Sequence, residues 1–424
     1  MLEEILDIRN VHKALKSVET NDGAGGVDGM AADELRQHLK THWHYLRESV
    51  LSGSYRPSPV RKVEIEKAGG GKRMLGIPTV TDRLLQQCVA QWLSPKCEEE
   101  FSTYSYGFRP NRNAHQAMLQ AQVFLEEGKT WIVELDLEKF FDKVNHDKLM
   151  SLLEKKISDK RILQLIRKYL TSGIMEGGMV SPRSEGTPQG SPLSPLLSNI
   201  MLNELDKELQ QRGHSFVRFA DDCSIYVRSE KAANRTNVSI TNYLETKLKL
   251  KVNKEKTKVS RPTESSLLGF SFYKSKDKWE IRISSKSVKR IKEKIKAKTR
   301  RNNPSNTQNK ITELDTVIRG WVNYFVVAKG KSVMQKLDEI LRTRLRICEW
   351  KSWKKTKTRI KRLIRLGVNK HKAYQWGNSS LGYCRTAHSP ILLSTLDNNY
   401  WQAKGYTGFS NYYYWKTEHQ TKLF

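Results

Sequence analysis

The stretch 215–227, SFVRFADDCSIYV, decides the fold. Its apolar and aromatic ends predict two short antiparallel strands, and the acidic pair Asp221-Asp222 falls at the tip of the hairpin between them. The earlier run 131–136, WIVELD, predicts a buried strand that ends on Asp136. One sheet can therefore hold three carboxylates side by side, although the two stretches are far apart in the chain.

Carboxylates grouped in this way suit magnesium, which prefers octahedral oxygen ligands and accepts substrate phosphates in its coordination shell. Two such ions stabilise both the attacking and the leaving oxygen of a phosphoryl transfer. An Asp-Asp pair in a tight turn is, however, most often only a turn. The pair gains a functional meaning only from the motifs around it.

Helices alternate with short strands along the chain, which predicts an α+β fold. The sequence predicts helices over 1–20, 31–50 and 81–97, from Asn145 or His146 onward, from Ser194 as the N-cap to Gly213, and over most of 285–361, together with a Gly-rich loop over 21–29 and a hairpin formed by 61–67 and 72–78.

Positive charge is concentrated in one segment. The 424 residues have a net charge of +30, and residues 281–372 contain 28 Lys and Arg against 6 Asp and Glu, a net +22. Such an excess is typical of a surface that binds a polyanion, and nucleic acid is the favoured one. For any single Lys run, a solvated helix face is the alternative interpretation.

Composition excludes several classes of protein. A mean hydropathy of -0.64, with no apolar run near the roughly 18 residues that a membrane helix needs, excludes a membrane-spanning protein. The five cysteines are widely spaced and form no C-x-x-C pair, which excludes a disulfide scaffold or a zinc ribbon. The acidic start lacks a secretory signal, so we expect a reduced, cytoplasmic location.

Several motifs occur in a characteristic order: a basic hairpin around Lys67 and Arg73, YGFRP at 106–110, DLEKFFD at 136–142, PQGSPLSP at 188–195, FADD at 219–222 and IRGWVNYF at 318–325. With these motifs the sequence resembles a reverse transcriptase. More narrowly, it is similar to the reverse transcriptase and maturase encoded within bacterial group II introns, of the smaller class C type without an H-N-H endonuclease domain. The last motif resembles the maturase thumb.

This resemblance implies a right-hand polymerase in which fingers and palm combine an antiparallel sheet with helices. The expected divisions are an N-terminal extension with fingers (1–128), a palm partly interleaved with them (129–280), a helical thumb or maturase domain X (281–355), and a small C-terminal DNA-binding domain (356–424). Leu268-Gly269-Phe270 matches the primer-grip hairpin.

The activity implied is RNA-directed DNA polymerisation, the transfer of a nucleotide from a dNTP to a primer 3′-OH. The implied partners are group II intron RNA, an RNA template with a DNA primer, a DNA target and dNTPs, with no membrane, in the bacterial cytoplasm, as a monomer or a homodimer. The protein is expected to promote splicing and intron mobility by target-primed cDNA synthesis. Two alternatives remain: a maturase that only binds RNA, and a polymerase freed from its intron.

The resemblance assigns Asp136, Asp221 and Asp222 as catalytic residues. Asp136 and Asp221 would ligate two Mg²⁺ ions, for which Mn²⁺ can substitute, Leu137 would offer a backbone carbonyl, and Asp222 would support the pair. All three acids are present in this chain, whereas maturases that only bind RNA often lose them. This favours the polymerase over the binding-only alternative.

Five further positions match nucleotide-binding residues of the family. Lys67 and Arg73 would hold the triphosphate, Phe141 would exclude a ribose 2′-OH, Gln189 would touch the nucleotide, and Lys256 would lie near the triphosphate. The residues themselves leave other interpretations open: a solvated hairpin edge for Lys67 and Arg73, a core position for Phe141, and a solvated run for Lys256.

The basic segment supplies the candidates for nucleic-acid binding, several of which share helical spacing. They are Lys292, Lys296, Arg300, Arg344, Lys351, Lys355 and Arg359. The aromatic residues after Lys372 can either stack on unpaired bases or form the core of a small domain, with Trp376 and Trp401 favoured for the core.

Overall fold

A computed structural model describes residues 1–66, 70–302 and 305–420. The chain divides into two compact units, an N-terminal unit (Met1–Leu267) and a C-terminal unit (Leu268–Phe424). Within the described residues, no helix is long and apolar enough to span a membrane.

The N-terminal unit mixes helices and short strands, as expected for an α+β fold. Its elements are α1 (Leu2–Ile5), α2 (Ile8–Asn21), α3 (Leu35–Leu51), β1 (Val60–Glu66), β2 (Lys72–Ile77), α4 (Val80–Glu98), α5 (Ala114–Glu126), β3 (Trp131–Leu135), α6 (Phe140–Lys143), α7 (His146–Glu154), α8 (Lys160–Thr171), β4 (Ile174–Glu176), β5 (Met179–Ser181), α9 (Ser194–Gln211), β6 (Ser215–Phe219), β7 (Asp222–Val227), α10 (Glu230–Thr246) and β8 (Lys258–Ser260).

One antiparallel sheet, of strand order β6-β7-β3-β8, carries the strands predicted from the two acidic stretches. Its register pairs Leu135 of β3 with Cys223 of β7, and Phe219 of β6 with Asp222 of β7. One face is covered by α10 and the edge strand β6 by α5 and α9, so that Val133, Ile225 and Phe216 are buried. The hairpin prediction is confirmed, and the sheet brings its tip to the end of β3.

The second sheet of this unit has the strand order β2-β1-β4-β5. Strands β1 and β2 pair antiparallel, with Arg61 opposite Ile77, which confirms the predicted hairpin. Strand β4 pairs parallel to β1, with Val60 opposite Ile174. Residues 67–69, which join β1 to β2, lie outside the described residues.

Two details of the predicted helices are wrong. The single helix expected over 1–20 is split into α1 and α2, because the Asp7 side chain accepts a hydrogen bond from the Arg9 amide and caps a new helix. Ser194 is not an N-cap but the first residue of α9; its Oγ donates instead to the Pro188 carbonyl at 2.8 Å. A local capping rule does not include this contact with the preceding turn.

The C-terminal unit begins with a hairpin and is otherwise helical over the part of the chain that is described. Its elements are β9 (Phe270–Ser275), β10 (Lys278–Ile283), α11 (Ser285–Lys298), α12 (Thr307–Phe325), α13 (Lys331–Ser352), α14 (Thr356–Arg365), α15 (Lys370–Gly377), α16 (Tyr383–Ala387), α17 (Pro390–Thr395), α18 (Asn398–Ala403) and α19 (Phe409–Gln420).

Helix α13 is the centre of this unit, packed by α11, α12, α16 and α19. Its buried Asp338 accepts hydrogen bonds from the Tyr406 hydroxyl at 2.5 Å and from the Phe409 amide at 2.8 Å, which fixes the start of α19. Trp401 is fully buried, as the core interpretation expects, but Trp376 is only half-buried, and Tyr374 and Trp415 are about half exposed. Much of the aromatic C-terminal tail therefore serves as core.

Candidate active site

Three carboxylates meet at the ends of β3 and β7. Asp136 follows the last residue of β3, Asp221 lies in the turn between β6 and β7, and Asp222 begins β7. Because Leu135 pairs with Cys223, continuing the register places Asp136 level with Asp222. The sheet thus brings the predicted catalytic residues together.

A cavity of about 1110 Å³ opens above these strand ends. Its walls are formed by the β1–β2 hairpin, the segment after β3, the turns that contain Gln189 and Asp221-Asp222, and residues 251–256. Eight of the residues predicted to be catalytic, to bind metal or to bind the nucleotide line this cavity: Asp136, Leu137, Asp221, Asp222, Arg73, Phe141, Gln189 and Lys256. Lys67 lies outside the described residues.

The carboxylates repel one another in a partly dry site. Desolvation raises the pKa of Asp222 to about 6, and the neighbouring charges of Asp221 and Asp136 add to the effect, although the residue is open to solvent on one side. Burial also raises the pKa of Asp221; the charge of Asp136 adds to this, whereas Arg73 opposes it. A bound cation would relieve this repulsion.

The backbone of Asp136 forms hydrogen bonds with the segment 253–257, which leads into β8. Its amide donates to the Thr257 Oγ1 at 3.1 Å, and its carbonyl accepts from the Asn253 amide at 2.8 Å. Its carboxylate lies 3.6 Å from the Nζ of Lys256, which is an exposed ion pair. Lys256 therefore faces the three carboxylates predicted to be catalytic.

Among its described residues, the β1–β2 hairpin presents one cation to the cavity that has no ion-pair partner. Lys72 is paired with Glu64 at 2.6 Å, and Lys62 with Glu176 at 2.9 Å. Arg73 is exposed and makes no ion pair with any described residue. It is thus available to an anion in the cavity.

The two adjacent phenylalanines, Phe140 and Phe141, differ in burial. Both line the cavity, but Phe140 is only 3% exposed and belongs to the core, whereas Phe141 is half-buried; their rings pack edge-on at 5.3 Å. Gln189 joins the same wall because its carbonyl accepts from the Gly76 amide of β2 at 2.9 Å. The turn and the hairpin therefore form one surface.

A buried ion pair behind the site did not enter the sequence prediction. Arg218 on β6 and Asp206 on α9 are both wholly buried, 2.6 Å apart. The Arg218 guanidinium also donates to the Asn199 Oδ1 at 3.0 Å and to the Ala220 carbonyl at 2.9 Å. A charged residue inside the otherwise apolar strand β6 was the available signal, since a lone buried charge is not tolerated.

Gly107 of the YGFRP motif packs directly against the acidic turn. A Cβ at this position would lie 2.2 Å from the Ala220 amide nitrogen. The Gly107 carbonyl accepts from the Asn199 Nδ2 at 2.9 Å, and the neighbouring Tyr106 amide donates to the Arg218 carbonyl at 2.8 Å. This close contact supports Ala220, which has a left-handed φ of 57°.

The candidates in the basic segment differ in their surroundings. Lys292, Lys296, Arg300 and Lys355 are exposed. The other three make local contacts: Arg344 donates to the Thr299 carbonyl at 3.0 Å, Lys351 donates to the Arg301 carbonyl at 2.8 Å, and Arg359 donates to the Trp353 carbonyl at 3.1 Å. The four exposed side chains are therefore more accessible to phosphate groups than the other three.

Comparison with known proteins identifies the class first. Residues 65–272 match the family "Reverse transcriptase (RNA-dependent DNA polymerase)", and residues 288–367 match "Group II intron, maturase-specific domain". The protein is thus an RNA-directed DNA polymerase by family. More particularly, the chain belongs to the reverse transcriptases that carry a group II intron maturase domain, which confirms the resemblance of its motifs.

Its relatives share different lengths of the chain. YkfC of Escherichia coli is 35% identical over 300 residues, 61% of this chain and 79% of that protein. The group II intron-encoded protein LtrA of Lactococcus lactis is 42% identical over 213 residues, 48% of this chain and 34% of LtrA. A solved partial Cas6-RT-Cas1--Cas2 complex aligns over 58% of this chain and 42% of that one, with a TM-score of 0.38 and 22% identity.

Reverse transcriptases use divalent metal ions as a family. Within the described residues, no group of three or more His, Cys, Asp or Glu side chains is already close enough to hold a metal ion. The donor set still fits such an ion, because two carboxylates with raised pKa values and the Leu137 backbone offer hard oxygen ligands.

Proposed function

We propose that Asp136, Asp221 and Asp222 hold two Mg²⁺ ions and catalyse RNA-templated DNA synthesis. The observation that carries the proposal is that these carboxylates line one cavity together with Arg73, Phe141, Gln189 and Lys256. Negative charge to bind metal and positive charge to bind phosphate thus face the same space.

The reaction joins a primer 3′-OH to the α-phosphate of a dNTP and releases pyrophosphate. Divalent ions bound by Asp136, Asp221 and the Leu137 carbonyl would stabilise the attacking and leaving oxygens, with Asp222 supporting them. Mn²⁺ shares the preference for oxygen ligands and is an expected substitute. The remaining work of the chain is to position the substrates.

The nucleotide is proposed to lie between the hairpin and the 189 turn. Arg73 can bind phosphate oxygens through two parallel hydrogen bonds, and Lys256 supplies a point charge. We also assign Lys67 to the triphosphate on the resemblance alone. The half-buried ring of Phe141 is proposed to exclude a ribose 2′-OH.

The maturase activity is assigned to the C-terminal unit. We infer that group II intron RNA binds its basic segment, which carries a net +22 over residues 281–372, and that binding promotes splicing. Residues 356–424 are proposed to contact a DNA target, so that cDNA synthesis primed there supports intron mobility. The maturase-specific match at 288–367 supports this assignment.

The polymerase proposal is tested by Asp221→Ala in primer extension on an RNA template. We expect a loss of several orders of magnitude, with RNA affinity within a few-fold of wild type, because lost metal ligands remove transition-state stabilisation. The matched control is Asp147→Ala, which removes an exposed aspartate paired with Arg167. Primer extension that survives in Asp221→Ala protein contradicts the proposal.

A further inference from the structure

A second cavity, of about 560 Å³, lies within the C-terminal unit. It is bounded by the turn Leu268–Gly269 before β9, by α11 and by α12. Its volume is in the range of sites that hold a small molecule or one group of a larger ligand. Trp321 and Tyr324 of α12 form one wall, and Arg290 and Lys294 of α11 line another.

The aromatic wall is rigid and partly exposed. The Tyr324 hydroxyl donates to the Leu268 carbonyl at 2.9 Å, and its ring stacks on Phe270 at 5.4 Å. Trp321 packs against Phe325 at 4.7 Å and edge-on against Phe409 at 5.7 Å. Tyr324 nevertheless remains 38% exposed, so the cavity presents an aromatic surface whose orientation is already fixed.

A glycine in the middle of α12 leaves space beside this surface. Gly320 lies one helical turn from both Thr316 and Tyr324, and all three line the cavity. Glycine weakens a helix interior, so it is expected only where something approaches the backbone closely. A Cβ on Gly320 would meet no atom within 4 Å, so no packing within the described protein requires a glycine there.

The basic wall offers charge to an anion. Arg290 and Lys294 are four residues apart on α11, are exposed, and form no ion pair with described residues. The nearby acids of α12 are already engaged: Glu313 pairs with Lys298 at 2.7 Å and Asp315 with Arg319 at 2.6 Å. The positive charge at the cavity is therefore not neutralised by them.

We propose that this cavity binds one unpaired nucleotide of a single-stranded nucleic acid. Its base would lie against Trp321 and Tyr324 above Gly320, and its phosphate would lie between Arg290 and Lys294. An unpaired nucleotide exposes the face of its base to an aromatic ring, whereas a paired and stacked one does not. The inference rests on the proposed function only in taking nucleic acid as the ligand.

The test fills the space beside the rings with Gly320→Leu. The probes are a fluorescent single strand of roughly 12 nucleotides, as RNA and as DNA of one sequence, and the blunt RNA–DNA duplex of that sequence. We expect about a tenfold loss of affinity for the RNA strand, the DNA strand or both, and a loss below about twofold for the duplex. The strand that shows the loss identifies the source of the nucleotide.

Two further variants make the result specific. Gly382→Leu is the matched control, because a Cβ there also meets nothing within 4 Å and Gly382 does not line this cavity. Arg290→Gln with Lys294→Gln should reduce the salt slope of single-strand binding by about 0.7, the contribution of one phosphate, whereas Gly320→Leu should leave that slope unchanged. Thermal unfolding verifies that each variant is folded, and Gly320→Ala repeats the test with one added methyl group.

Equal losses for duplex and single strands, or no loss for any probe, overturn the inference. Neither result bears on the polymerase site, which is tested separately by primer extension with Asp221→Ala. A wild-type protein that binds none of the probes overturns both the inference and the proposed RNA-binding function.

Discussion

Arg218 reaches the Ala220 carbonyl at 2.9 Å while it is paired with Asp206 at 2.6 Å, in a site closed to solvent. Ala220 is the residue before Asp221, so the ion pair is linked to a proposed catalytic carboxylate through a single peptide unit. Polar groups of this kind, which touch no substrate, can still fix the geometry on which a metal site depends.

We therefore predict that Arg218→Lys lowers primer extension about 10- to 100-fold and raises the Mg²⁺ concentration needed for half-maximal rate. Lysine keeps the charge but cannot form the paired hydrogen bonds of a guanidinium. RNA affinity should stay within a few-fold. The measurement is the rate of primer extension against Mg²⁺ concentration.

A core substitution separates positioning from stability in this experiment. Ile240→Val in α10 removes one methyl group from a fully buried side chain and should lower the free energy of unfolding by about 0.5–1.5 kcal/mol. It should leave the Mg²⁺ dependence unchanged. If Arg218→Lys behaves in the same way, the ion pair is only structural.

Phe141→Ala should admit ribonucleotides, because a steric wall acts by excluding the larger substrate. The measurement is the incorporation of rCTP relative to dCTP in wild type and variant. Phe124→Leu is the matched control: this ring is also buried but does not line the cavity, so its replacement should reduce stability and leave sugar choice unchanged. An unaltered ratio in Phe141→Ala protein assigns that ring to packing alone.

RNA affinity should fall steeply with salt, on the order of a thousandfold or more between 50 and 200 mM if about six to ten phosphates are contacted. Replacing Lys292, Lys296 and Arg300 together by Glu should weaken binding and reduce the slope by about two to three units. The measurement is RNA affinity against salt concentration.

Arg344→Gln is the control for the triple variant, because this arginine makes a structural contact. Its guanidinium donates to the Thr299 carbonyl at 3.0 Å, so its loss should lower the melting temperature and leave the salt slope nearly unchanged. Identical salt curves for wild type and the triple variant would mean that residues 292–300 are only a solvated surface.

Asp222→Asn should raise the melting temperature of metal-free protein near pH 7.5 while abolishing polymerisation. The folded pKa of about 6 lies above the ordinary 3.8, so the ionised carboxylate destabilises the fold. This destabilisation develops as pH rises from about 4 to about 6 and is complete above that range. The difference in melting temperature should therefore shrink as the pH is lowered below about 6.

The melting temperatures are measured with a chelator present, because bound metal would offset the repulsion. Asp147→Asn, at an exposed position, should show no such pH-dependent gain. A lower melting temperature for Asp222→Asn at neutral pH would mean that the carboxylate makes a stabilising contact instead.

The position of each aspartate at a strand end or a hairpin tip could be predicted because it depends on strand pattern and turn chemistry, which are local. The pairing of β3 with β7, which brings them together, is a contact between distant segments. The partner of Arg218 could not be predicted, since Asp206 lies on a different element and only the packing of α9 on β6 joins them. The same limit explains Ser194: its hydroxyl finds the Pro188 carbonyl, a contact that arises from the path of the preceding turn.

The sequence also left Phe140 and Phe141 undecided between core and site. The difference in burial between them arises in helix α6, which begins after Lys139 in a left-handed conformation with φ of 48° and leaves Phe140 buried and Phe141 half-buried. The left-handed conformation of Lys139 cannot be predicted from the hydrophobic pattern of the four residues of α6.

Because Gly107 packs against Ala220, a single substitution at Gly107 would separate the proposed DNA synthesis from the proposed RNA binding. A methyl group on Gly107 would meet the Ala220 amide at 2.2 Å and displace the turn that carries Asp221, without altering any side chain in the C-terminal unit. Such a chain would keep its means of holding RNA while losing the ability to reproduce it as DNA. On the proposed function, one substitution would therefore turn a polymerase that copies RNA into a chain that only binds it.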